Sequence, residues 1–130
     1  MAAEAKTQFD VTTKHAAGQL ADLLEALAGV GVNVIAFCGW GEADRAHLLV
    51  VPDDETKARK ALAGRFTIAA EKTVIAITAA SGRGAGAKIA AKLAKAGISI
   101  DRAYASTWDK GPSTAVFEVP DAEAALKALK

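Results

Sequence analysis

Polar and apolar positions alternate from Gln8 to Thr13, with Phe9 and Val11 on one side, which is the period of a half-buried strand. After Gly18 the period changes. Leu20, Leu23, Leu24 and Leu27 recur at helical spacing. The helix should end near Gly29 or Gly31, because glycine suits the left-handed cap. Val32 to Phe37 predicts a second strand, and Gly39-Trp40-Gly41-Glu42-Ala43-Asp44 a hairpin turn or bulge. His47 to Val51 predicts a third strand. Pro52-Asp53-Asp54-Glu55 then opens a helix, with Asp53 read as its cap and Lys57, Arg59, Lys60 and Arg65 toward its negative end. Phe66 to Ala69 predicts a fourth strand.

The same order then begins again. Thr73 to Thr78 reads as a strand, Ser81 to Gly86 as a glycine-rich turn, and Ile89 and Leu93 as the inner face of a helix ending at Gly97. Ile98 to Tyr104 and Ala115 to Val119 are strands, and Pro120-Asp121-Ala122-Glu123 opens a last helix capped by Asp121. The offset makes this an internal repeat. Adding 66 takes Gly18 to Gly84, Leu27 to Leu93, Gly31 to Gly97 and Val32 to Ile98; adding 68 takes Val51-Pro52-Asp53 to Val119-Pro120-Asp121. The second copy stops after its last helix, so its fourth strand is missing or supplied from elsewhere.

Two amphipathic helices for every four strands predict helices packed on one face of an antiparallel sheet. The expected fold is therefore α+β, two ferredoxin-like βαββαβ units in tandem. The boundaries read as a disordered tail over 1–7, a first unit over 8–71 and a second over 72–130. Each unit leaves open sheet edges that need covering or pairing. The apolar content is 52%, but much of it is alanine, with only four Phe, two Trp and one Tyr. So thin a core favours a homodimer.

The charges nearly balance, 16 Lys+Arg against 15 Asp+Glu, so nothing electrostatic calls for nucleic acid or an anionic membrane as partner. No apolar run nears the ~20 residues that span a bilayer. The lone Cys38 can form no intrachain disulfide, which suits a cytoplasmic protein.

Gly18-Gln19-Leu20, followed by Leu23-Leu24, Leu27 and Gly31-Val32-Asn33-Val34, resembles the ACT-domain signature. There, a strand leads into Pro-Gly-x-Leu, a helix and Gly-Ile-Asn-Ile. The second copy is similar: Gly84, then Leu93-Ala94-Lys95-Ala96-Gly97-Ile98-Ser99-Ile100, with Asp101 to Ala105 resembling the following stretch of stand-alone tandem ACT proteins. The resemblance runs from about Phe9 to the C-terminus. It implies a small regulatory sensor that binds a free amino acid between paired units. The implied contacts are His15, Ala16, Ala17, Gly18, Gln19 and Leu20 with Asn33 in the first unit, and Ser81, Gly82, Arg83, Gly84 and Ala85 with Ser99 in the second. The chain departs from the pattern at Ala17 and Arg83, which replace proline, at Ser99, which replaces asparagine, and at Gly86, which replaces leucine. The alternative is an ACT interaction module that has lost its ligand and acts through sheet pairing.

Gly82-x-Gly84-x-x-Ala87 with Asp101 imitates a dinucleotide fingerprint. The 29 residues after Asp101 return as a hairpin and cannot complete a Rossmann half. Arg83 suits a ligand carboxylate or simply solvent. His15 and His47 read as surface residues, and with Cys38 they lack metal-ligand spacing. Trp40 and Trp108 suit covering an edge strand, meeting a partner chain or, equally, packing on their own sheet. No nucleophile–base pair and no acid/base pair is found, so the chain reads as a non-enzyme without cofactor.

Overall fold

The computed structural model describes residues 2–80, 82–106 and 111–130; Ser81 and Trp108 lie outside them. The elements follow in the order β1 (Ala2–Lys14), α1 (Gln19–Ala28), β2 (Val34–Glu42), β3 (Arg45–Pro52), α2 (Glu55–Leu62), β4 (Thr67–Ala80), α3 (Ala85–Lys95), β5 (Arg102–Ala105), β6 (Pro112–Glu118) and α4 (Ala122–Leu129). This is βαββα twice. The strand order is β2-β3-β1-β4-β6-β5, with β1/β3, β2/β3, β4/β6 and β5/β6 antiparallel. The chain divides into two compact units, a first of Thr7–Lys72 and a second of Met1–Lys6 together with Thr73–Lys130.

In the first unit Phe9 and Val11 of β1 stand opposite Val50 and Leu48 of β3. Their inward side meets Leu23 and Leu27 of α1 and Ala58 and Leu62 of α2. Both helices thus share one face of the strands. Each large apolar side chain buried there stabilises by about 1.5–3 kcal/mol. Phe66 and Ile68, at the start of β4, pack at the border of this core and complete it. In the second unit Ile75 and Ile77 of β4 face Phe117 and Ala115 of β6. They pack with Ile89 and Leu93 of α3 and with Ala125 and Leu129 of α4. Ala3 sits at the border, as Ile68 does in the first unit.

Several elements differ from the expectations. The segment expected as a disordered tail is a strand from Ala2 onward, and Ala2–Lys6 groups with the second unit. Ala, Glu and Lys are weak strand formers, so local propensity hides this strand; pairing with β4 creates it. It occupies the fourth-strand position that the second repeat lacks. The strands expected at Phe66–Ala69 and Thr73–Thr78 are one strand, β4, which begins at Thr67 just after Phe66.

Val32 and Ile98, read as the starts of strands, instead close helices. The Val32 amide donates to the Leu27 carbonyl (3.0 Å) and the Ile98 amide to the Leu93 carbonyl (2.9 Å), around Gly31 at φ +77° and Gly97 at φ +74°. This is the Schellman closure, which occupies the first amides after each helix. The strands therefore begin later, at Val34 and Arg102. The hairpin turn is also shorter than expected. Trp40 to Glu42 belong to β2, and only Ala43, at φ +56°, and Asp44 turn the chain. Asp53, read as a cap, is displaced from that role by Asp54, whose carboxylate accepts from the Lys57 amide at 3.0 Å. Asp121 does cap α4, accepting from the Ala124 amide at 3.1 Å.

Candidate functional site

The four helices begin in two ways. α2 and α4 start at aspartates whose carboxylates hold a first-turn amide. α1 and α3 start at Gly18 (φ +90°) and Gly84 (φ +81°), and neither helix has a side-chain cap. A β-carbon in that left-handed conformation costs about 1–2 kcal/mol, which explains glycine at both places. Among the described residues no side chain caps the first turn of α1 or α3; in α3 the Ala85 amide is taken by the Gly82 carbonyl, and the positive end of each helix favours an anion. Electrostatics differ between the two. Asp22 lies in the first turn of α1, whereas α3 has no acidic residue there and follows the exposed Arg83.

In the first loop His15, Ala16, Ala17, Gly18 and Leu20 are exposed and Gln19 is half-buried. The His15 amide donates to the Asp44 carbonyl at 2.7 Å, which ties the loop to the β2–β3 turn. The His15 ring lies directly on Gly41 of β2. A β-carbon on Gly41 would sit 2.4 Å from the imidazole Cε1. Gly41 was not among the expected site residues. The sequence placed Gly39 and Gly41 in a turn; their position inside β2, where glycine marks a close approach, is what the fold adds. In the second loop Gly82, Arg83 and Gly84 are exposed and Ala85 is half-buried, with the Ala85 amide donating to the Gly82 carbonyl at 3.2 Å.

Asn33 and Ser99 were expected on strands and instead precede β2 and β5. Asn33 is held by Asp53. Its amide donates to the Asp53 carboxylate (3.0 Å), and its carbonyl accepts from the Asp53 amide (2.9 Å). This clamp, invisible to a cap-based reading, is the real role of Asp53. Asn33 follows the far end of α1 from Gly18. The ten residues of α1 separate those ends by about 15 Å. Ser99 and Gly84 stand in the same relation across α3. Within one unit, loop and strand-start residues are therefore not brought together.

β2 is an outermost strand, nine residues long and without lysine, arginine or proline. Phe37 is 48% exposed and Trp40 38%. Trp40 stacks on His47 at 5.1 Å between ring centroids, and Glu42 approaches the same imidazole at 3.7 Å. Cys38 is a free, half-buried thiol. Among the described residues no group of three His, Cys, Asp or Glu could hold a metal ion, and no helix is long and apolar enough to cross a membrane.

No protein-family model and no curated protein matches the sequence. Solved structures do match. Protein BT0572 from Bacteroides thetaiotaomicron is 25% identical, with a TM-score of 0.84 over 98% of this chain and 88% of that one. The ligand-free regulatory subunit of aspartate kinase from Thermus thermophilus is 17% identical, with a TM-score of 0.71 over 98% and 93% of the two chains. The regulatory subunit of aspartate kinase from Thermus flavus is 21% identical, with a TM-score of 0.63 over 98% and 93% of the two chains. The chain thus has an ACT-like α+β fold of two ferredoxin-like units, similar to that of regulatory subunits of aspartate kinase.

Proposed function

We propose that this chain is a small, non-catalytic regulatory protein that binds a free amino acid at an interface between ACT-like units. The observation that carries the reading is the pair of uncapped helix starts at Gly18 and Gly84, beside two helices whose starts are capped by aspartate. A backbone that leaves amides open at equivalent places in both repeats offers two sites for a carboxylate. The second loop is the stronger electrostatic site, with Arg83 beside a helix start free of acidic residues. The separation of Gly18 from Asn33 supports a ligand that bridges units, and the bare edge of β2 supports a second copy as the neighbour. The free Cys38 fits a reducing cytoplasm.

A thermal-shift panel of the twenty amino acids tests the proposal. A selective rise in Tm is expected for one or a few of them, since a ligand bound only by the folded state stabilises it. Gly84→Val should abolish that rise while lowering the unliganded Tm by an amount equivalent to about 1–2 kcal/mol. A ligand-induced rise that survives in both Gly18→Val and Gly84→Val would remove the loops from the site. A flat panel with a persisting dimer favours a second reading, an interaction module that pairs through β2, whose exposed Phe37 and Trp40 are the observation behind it.

A further inference from the structure

We propose that the second unit carries, between the strand segment Ala2–Lys6 and α4, a docking groove for an extended peptide strand of a partner protein, one bearing large aliphatic side chains and a carboxylate. The groove encloses about 430 Å³ and is lined by Ala3 of β1 and by Glu123, Leu126, Lys127, Leu129 and Lys130. Ala3, Leu126 and Leu129 make it apolar inside; on its rim Glu123 offsets Lys127 and Lys130 adds a further cation.

The internal repeat shows what belongs in such a place. In the first unit Phe66 and Ile68 fill the space beside α2. The rim there is closed by Arg59, which donates to Glu71 at 2.7 Å and lies 5.6 Å from the Phe9 ring centroid. Counting from the capping aspartates Asp54 and Asp121, Arg59 corresponds to Leu126. The second unit therefore has leucine where the first has its closing arginine, and the small Ala3 at the border of its core where the first has Phe66 and Ile68. Among the described residues, its groove has neither a large filling side chain from the strand nor the latch.

The backbone beside the groove is also open. β3 pairs with Phe9–Lys14 of β1, and among the described residues its register does not extend to Ala2–Lys6. That segment adjoins β4 on one side and offers its other edge for an added strand. An added strand would bond to this edge and turn alternate side chains into the groove. The charges select its chemistry. Lys127 approaches Glu123 at 3.8 Å and Lys6 approaches Glu4 at 3.7 Å, whereas Lys130 has no ion pair among the described residues. A carboxylate on the incoming strand complements it.

The test uses the full-length protein and a fluorescent acetyl-Thr-Ile-Thr-Ile-Thr-Glu-amide peptide. Saturable binding by anisotropy is expected. A peptide with both isoleucines replaced by aspartate should bind at least tenfold more weakly. Ala3→Ile fills the groove from within, so it should raise Tm by about 3 °C and weaken the peptide at least tenfold. Lys130→Glu, on the exposed surface, should weaken it about threefold or more without changing Tm, and decides the matter if Ala3→Ile does not fold. The absence of saturable binding to the native protein overturns the proposal. So does unchanged affinity in folded Ala3→Ile or in Lys130→Glu.

Discussion

The two units are built from one repeated phrase and secured differently. The first has a nine-residue β2, an Asp53 clamp on the start of that strand, and an Arg59–Glu71 ion pair between α2 and β4. The second has a four-residue β5 and Leu126 in place of the arginine, and it borrows its fourth strand from the start of the chain. Yet the elements common to every copy are the same: left-handed glycines before α1 and α3, Schellman closures after them, aspartate caps before α2 and α4. The difference teaches that the repeat preserves what makes the elements and varies what joins them.

The largest expected effect comes from removing residues 1–6. If Ala2–Lys6 is a working strand of the second unit, its loss should cost about 2–4 kcal/mol, from several sheet hydrogen bonds and the cover over Leu126 and Leu129. Hydrogen exchange should then lose protection in β4 beyond Thr73, in β6 and in α4, while Phe9, Leu48 and Val50 keep theirs. Equal loss in both units would erase the contrast drawn here.

A middle-sized effect should be shared by both. Asp54→Ala and Asp121→Ala each remove one cap and should each lower stability by about 1 kcal/mol, read from urea midpoints at constant m. Asp53→Ala should instead loosen Asn33 and the start of β2, visible as faster exchange at the Asn33 amide. If Asp53→Ala costs α2 its helicity while Asp54→Ala does not, the cap belongs where the sequence first suggested.

The smallest effect sharpens the contrast by pH. The Arg59 guanidinium, chiefly through its hydrogen bond, holds the Glu71 carboxyl below the usual carboxylate range against an opposing desolvation. The folded pKa is thus depressed relative to the unfolded chain. The resulting stability is present above the unfolded value, about 4.3, and is lost as pH falls through the folded value. The native Tm should therefore drop more steeply below about pH 4.5 than that of Glu71→Gln, with a small gap that salt narrows. Parallel melting curves for the two proteins across that window would leave the pair without a stabilising role.

Much of this architecture was legible because its causes are local. Phe9 and Val11 announce their strand by alternation, and Leu23 and Leu27 their helix by spacing. Gly18 and Gly84 mark helix starts because only glycine rests easily at their φ. The candidate loops were legible on the same ground. The misreadings share another cause. Val32 and Ile98 look like strand residues, but their amides close the preceding helices. Asp53 and Asp54 are chemically alike neighbours, and only the fold assigns one to Asn33 and the other to Lys57.

By itself the sequence determined the duplication, the four helices with their inward faces, and the glycines that start α1 and α3, since the helices and their starts depend on residues within a turn or two of one another. The tertiary structure alone decided that Ala2–Lys6 completes the second unit, that β4 is unbroken, and that His15 rests on Gly41. Those outcomes depend on which distant backbone groups pair and which surfaces then touch. Weak local preferences, such as those of Ala-Ala-Glu-Ala-Lys, yield to that pairing.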